Sequence, residues 1–151
     1  MIPTEAQSLE SLSLVINQAI KVNAPIAVTF DALIEELQDM PSNNGPIKMK
    51  VEQWPGGRWY RDLGNGNGHF WANVQAIKRP TLLEFSGPLM LSFPVIHNVQ
   101  YRLTEENGVT VITFHHFAFG HISDEHKEGM RQGWTKINDE ARQRALGAFA
   151  R

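Results

Sequence analysis

The sequence predicts an α+β fold: a curved antiparallel sheet of about seven strands wrapped around a long C-terminal helix. Three observations carry this. From Ile47 to Gly120, strand-like segments follow one another, separated by turn clusters at Pro55-Gly56-Gly57, Gly64-Asn65-Gly66-Asn67-Gly68, Lys78-Arg79-Pro80-Thr81 and Asn107-Gly108, the pattern of an antiparallel meander. A strand and one amphipathic helix precede the meander. A last segment from Ser123 to Phe149 carries a single apolar stripe at helical spacing. A twisted sheet with a long helix on one face makes two layers, and the gap between them is a place for a small molecule.

Taken in order, Met1–Leu12 carry Pro3 and a mixed pattern, and are expected to form an N-terminal tail ahead of one domain over residues 13–148. Ser13 to Val22 alternates Leu14, Ile16, Ile20 and Val22 with more polar positions and reads as the first strand. Asn23-Ala24-Pro25 is a helix-start signal, with Asn23 the expected cap. Ile26, Phe30, Leu33 and Leu37 then recur at spacings of four, three and four, giving a helix that ends before Pro41. Strands are expected at Ile47–Trp54, Arg58–Leu63, Gly68–Lys78, Leu82–Leu89, Ile96–Glu105 and Val109–Gly120. In the last of these both faces are fairly apolar, so the alternation leaves open which one is inner. Ser123 is the expected cap of the final helix, with Asp124 and Glu125 complementing its dipole. Its stripe is Met130, Trp134, Ile137, Ala141 and Ala145; Gly129 and Gly133 interrupt it and suggest close packing or a bend.

Composition narrows the function. With 14 basic against 16 acidic side chains the net charge is -2, a field too weak to gather nucleic acid. No cysteine is present, which excludes disulfides, thiolate metal sites and a cysteine nucleophile. No run reaches the roughly 18 to 20 apolar residues of a membrane helix, and no basic segment with an apolar core opens the chain. A cytoplasmic protein without membrane insertion is expected.

The Asn23-Ala24-Pro25 start before Phe30-Asp31-Ala32-Leu33, the Gly56-Gly57-Arg58-Trp59 turn and the Pro80-Thr81-Leu82-Leu83-Glu84-Phe85 strand recur in a known order with the Gly108–Phe114 strand and Gly133-Trp134. Together they resemble the START-like (SRPBCC) superfamily, most closely the branch named for the activator of the ninety-kilodalton heat-shock-protein ATPase, which is loosely polyketide cyclase-like. The resemblance covers about residues 13 to 148. It implies the helix-grip fold, seven antiparallel strands around a C-terminal helix enclosing a cavity. It implies no one reaction, since such proteins include lipid carriers, hormone receptors, cyclases and co-chaperone domains.

The expected ligand is a small hydrophobic or aromatic molecule held between the sheet and the last helix, with no cofactor. Cyclase-like or hydrolase-like chemistry in the same cavity, a chaperone ATPase-activating contact and a homodimer are left open. Trp59, Phe70, Phe85, Tyr101, Phe114, Met130 and Trp134 are expected to face the interior and contact the ligand. Arg61, two residues from Trp59, is either a cavity cation for an acidic ligand or a snorkelling strand-edge side chain. His116, if its face is inner, either orients a ligand or acts as an acid or base, or is a buried ring satisfied by a neighbour. His115, His121 and His126 lie close to it in sequence. Adjacent strand residues point to opposite faces and no zinc-type spacing is present, so no metal site is expected. Asp31, Glu35, Glu36 and Asp39 read as a solvated helix face.

Overall fold

The structure, a computed structural model, describes residues 9–151, so most of the tail expected over Met1–Leu12 lies outside the described residues. The elements are β1 (Ser13–Val22), α1 (Ile26–Gln38), β2 (Asp39–Met40), β3 (Ile47–Lys48), β4 (Lys50–Val51), β5 (Arg58–Gly64), β6 (Asn67–Lys78), β7 (Leu82–Gly87), β8 (Val95–Glu106), β9 (Val109–Gly120) and α2 (Asp124–Phe149). Seven strands form one antiparallel sheet in the order β1-β9-β8-β7-β6-β5-β4, and β2 pairs with β3 beside it. This is the helix-grip arrangement.

The strand expected over Ile47–Trp54 is instead two stubs. Ile47–Lys48 pairs back onto Asp39–Met40, and only Lys50–Val51 joins the main sheet. Gln38 explains the break: its carbonyl takes the Met49 N–H at 2.9 Å and its side-chain oxygen the Val51 N–H at 3.1 Å, so the end of α1 supplies what a neighbouring strand would have. Two hairpins turn on Asn65-Gly66 and Asn107-Gly108, each pair with both φ positive (56° and 77°, 54° and 78°), which Asn-Gly tolerates best.

The alternation on β8 and β9 settles the inner face. Val99, Tyr101 and Leu103 on β8 and Ile112, Phe114, His116 and Ala118 on β9 are buried, while Ile96, Phe117 and Phe119 are turned outward and exposed. On α2 the buried seam is Met130, Trp134, Asn138, Ala141 and Ala145, so Asn138 takes the place expected of Ile137. Its side chain can afford burial because Tyr101 Oη–H donates to Asn138 Oδ1 at 2.8 Å and Asn138 Nδ2–H to Gln18 Oε1 at 2.8 Å.

Each helix begins differently. Ser123 caps α2 as expected, its hydroxyl accepting the His126 N–H at 3.2 Å. Asn23 does not cap α1; Pro25 holds the cap position without a side-chain bond, and Ala24 N–H turns back to the Val22 carbonyl. The free Ile26 N–H instead reaches Glu105 Oε1 at 2.6 Å, from the end of β8. An anionic carboxylate there also favours the helix dipole.

The interior position expected of Phe70 is corrected by a β-bulge. Trp59 faces Ala72 across the strand pair but Tyr60 faces Phe70, so one residue, Trp71, is extra on β6. The slip turns Phe70 outward, 45% exposed, and buries Trp71 edge-on to Trp59 with ring centroids 5.1 Å apart.

Candidate ligand cleft beside the C-terminal helix

The seam between α2 and the sheet opens at its N-terminal end into a cleft of about 430 Å³. The helix contributes Met130, Trp134 and Ile137, and facing them are Trp71 from the bulge with Met90 and Leu91 from the segment after β7. Glu125 and His126 stand at its border. That segment leaves the sheet at Pro88, which has no N–H to pair, and Leu89 takes a left-handed φ of 54° with its N–H on the Trp71 carbonyl at 2.8 Å. The volume lies within the range of small-molecule sites.

Gly129 and Gly133 also line this cleft, and a Cβ at either would meet nothing within 4 Å. Of the close packing or bend expected of them, the close packing is therefore absent among the described residues. They leave the helix surface bare on the side of the cleft.

A second cleft, about 440 Å³, lies beside the first and shares Trp71, Met90 and Leu91 with it. Its other side is built by Arg61, His69 and Phe70.

Beneath the first cleft runs a buried polar chain. Trp134 Nε1–H donates to His116 Nδ1 at 2.8 Å, which leaves the proton of the neutral His116 ring on Nε2, and His116 Nε2 lies 2.8 Å from His97 Nδ1. His97 then accepts on Nδ1 and carries its own proton on Nε2, a buried atom with no hydrogen-bond partner among the described residues. Burial lowers His97 to about 4, and burial together with the nearby His97 and His115 charges lowers His116 to about 3, so both rings are neutral near pH 7. Elsewhere, His115 Nδ1–H donates to Asn17 Oδ1 at 2.5 Å, and His126 Nδ1 pairs with the Ser123 hydroxyl at 2.6 Å. Among the described residues no three His, Asp or Glu side chains converge as metal ligands would.

The acidic run on α1 divides. Glu36 is buried rather than solvated, with one oxygen 2.6 Å from Arg144 Nε and the other unpartnered among the described residues. Burial pushes its carboxyl up to about 7 against the pull of Arg144.

Of the residues expected at the ligand, Met130 and Trp134 border the first cleft and Arg61 and Phe70 the second. Trp59, Phe85, Tyr101 and Phe114 border neither; they are fully buried and pack on one another, Trp59 to Phe85 at 4.7 Å and Tyr101 to Phe114 at 4.9 Å. Trp59 also donates its indole N–H to the Leu37 carbonyl at 3.0 Å. His116 is fully buried and touches the cleft only through Trp134. Trp71, Met90 and Leu91 were not expected there. A bulge is invisible to period-two reading, and a loop with Pro88 and Pro94 has no periodicity to read.

Solved structures share the fold. Protein MLL2253 from Mesorhizobium loti superposes with a TM-score of 0.63 at 17% identity over 86% of this chain and 95% of its own. CalU16 from Micromonospora echinospora gives 0.57 at 21% identity over 91% and 85%. The di-domain ARO/CYC BexL from the BE-7585A biosynthetic pathway gives 0.61 at 14% identity over 89% of this chain and 49% of that one. No curated protein matches the chain by sequence. Among the described residues no helix is long and apolar enough to cross a membrane. Residues 23–143, most of the chain, match the family described as Activator of Hsp90 ATPase homolog 1-like protein, and the chain belongs to that family.

Proposed function

We propose that this protein binds a small apolar or aromatic molecule in the cleft between α2 and the segment after β7, with Trp71, Met130 and Trp134 as its contacts. The observation that carries this is the pair of glycines. A helix gives up about 1 kcal/mol for each glycine relative to alanine, and Gly129 and Gly133 return no packing for it. What they provide is space against two tryptophans and two methionines, the surface an apolar guest requires. The similarity to CalU16 and BexL is a likeness of fold and leaves the choice of ligand to the site.

The test uses Gly133→Leu, whose side chain would enter the cleft without meeting another atom at Cβ. N-phenylnaphthylamine, a neutral dye that brightens out of water, should bind the native protein and lose at least tenfold in affinity for the variant. The variant should melt no lower than the native protein, because leucine is the better helix former. Unchanged dye binding by a folded Gly133→Leu protein would reject this site.

A second reading, a contact with a chaperone, is favoured by one observation. Ile96, Phe117, Phe119 and Val15 are between 41% and 59% exposed on the outer face of the sheet, and the register puts Ile96 beside Phe119 and Val15 beside Phe117. Chemistry on the bound molecule would have to draw on Glu125 and His126, the two ionisable side chains that border the first cleft among the described residues.

A further inference from the structure

Arg61 is half-buried on β5, opposite His69 on β6, and borders the second cleft. Among the described residues its guanidinium has no hydrogen bond and no ion pair. Every other arginine before the C-terminal residue has one: Arg58 with Glu52, Arg79 with Gln53, Arg102 with Gln100, Arg131 with the Val15 carbonyl, Arg142 with Asp139 and Arg144 with Glu36. Among the described residues no aspartate or glutamate lines the second cleft. A guanidinium partly withdrawn from water without a counter-ion gains when a planar anion arrives, because it can give the anion two parallel N–H bonds.

We infer that the ligand is an amphipathic carboxylic acid, its apolar body in the first cleft against Trp71 and Trp134 and its carboxylate on Arg61, with His69 as a second donor. The two clefts share Trp71, Met90 and Leu91 in their linings, so the inferred guest crosses over these residues to reach both. This deepens the proposed function and rests on the first cleft being the apolar site.

Three molecules with the same chain separate charge from apolar binding: dodecanoate, dodecanol and dodecylammonium, each used to displace N-phenylnaphthylamine at low salt. Dodecanoate should displace the dye at about a tenth of the dodecanol concentration, the worth of one charge-assisted hydrogen bond, and dodecylammonium should be the weakest. Arg61→Gln should bring dodecanoate to within twofold of dodecanol and leave dodecanol unchanged. Equal displacement by acid and alcohol in the native protein, or an acid preference that survives Arg61→Gln, overturns the carboxylate site while leaving the apolar cleft standing. Failure of the dye to bind, or its indifference to Gly133→Leu, removes the apolar cleft and this inference with it.

Discussion

Protonating His116 would place an N–H where the ring now accepts one from Trp134, so charge on this histidine breaks a buried bond as well as entering an apolar core. The sign of the pH effect follows. An exposed histidine titrates near 6.5, whereas burial lowers His97 to about 4 and, with neighbouring charge, His116 to about 3. Between about pH 6.5 and those values the unfolded chain takes up protons that the native state refuses, so stability is complete above pH 6.5 and falls as pH falls. Each ring contributes at most about 1.4 kcal/mol per pH unit over that window. Glu36, raised to about 7, acts oppositely, since the native state takes its proton first as pH falls from 7 toward the ordinary carboxylate range. Urea midpoints at a series of pH values should therefore drop between pH 6.5 and 4 in the native protein. In a His97→Gln, His116→Gln double variant, whose amides can still donate and accept, they should stay level or rise. A double variant as acid-sensitive as the native protein would assign the effect elsewhere.

Trp134 joins α2 to the sheet in two ways. Its ring centroid lies 4.9 Å from that of Phe114, and its N–H satisfies His116. Truncating a buried aromatic costs about 3 to 5 kcal/mol, so Trp134→Ala should lower the denaturation midpoint sharply. Trp134→Phe keeps much of the packing but orphans His116 Nδ1, and should cost about 1 to 3 kcal/mol. A Phe variant as stable as the native protein would show that the indole N–H contributes nothing. That this helix would bury Met130, Trp134 and Ala141 was legible from spacing alone, as were its Ser123 cap and both Asn-Gly hairpins. The helix start at Pro25 was legible too, but its cap was not, because Glu105 lies 79 positions away and only the fold brings it there. The lining of the candidate cleft was half legible for the same kind of reason. Helical periodicity identifies Met130 and Trp134, whereas the bulge that exchanges Phe70 for Trp71 depends on pairing between strands, and Gly129 and Gly133 look alike in sequence whether they admit a neighbour or a cavity. Most of the aromatic residues expected around a ligand fill the core instead, since a domain of this size needs large side chains there first.

At the scale of the whole molecule the two faces of the sheet carry different proposals, the concave one a ligand and the convex one a protein partner. They are separable by mutation. If the convex apolar patch contacts a chaperone, adding this protein to Hsp90 should raise its ATPase rate, and Phe117→Ser with Phe119→Ser should abolish the rise without altering dye binding in the cleft. No stimulation by the native protein would reject the partner. The sheet order has a further consequence, for the ribosome rather than for the folded state. Among the described residues β1 sits at the edge of the sheet and pairs with β9 alone, and α1, next in the chain, is capped from the end of β8. β1 therefore lacks its β9 partner until the chain has been made through residue 120. Translation runs at roughly 5 to 20 residues per second, so the apolar side chains of β1 wait on the order of 5 to 20 s in the open. For that interval the nascent chain is a substrate for whatever shields unpaired strands, well before it can serve any function of its own.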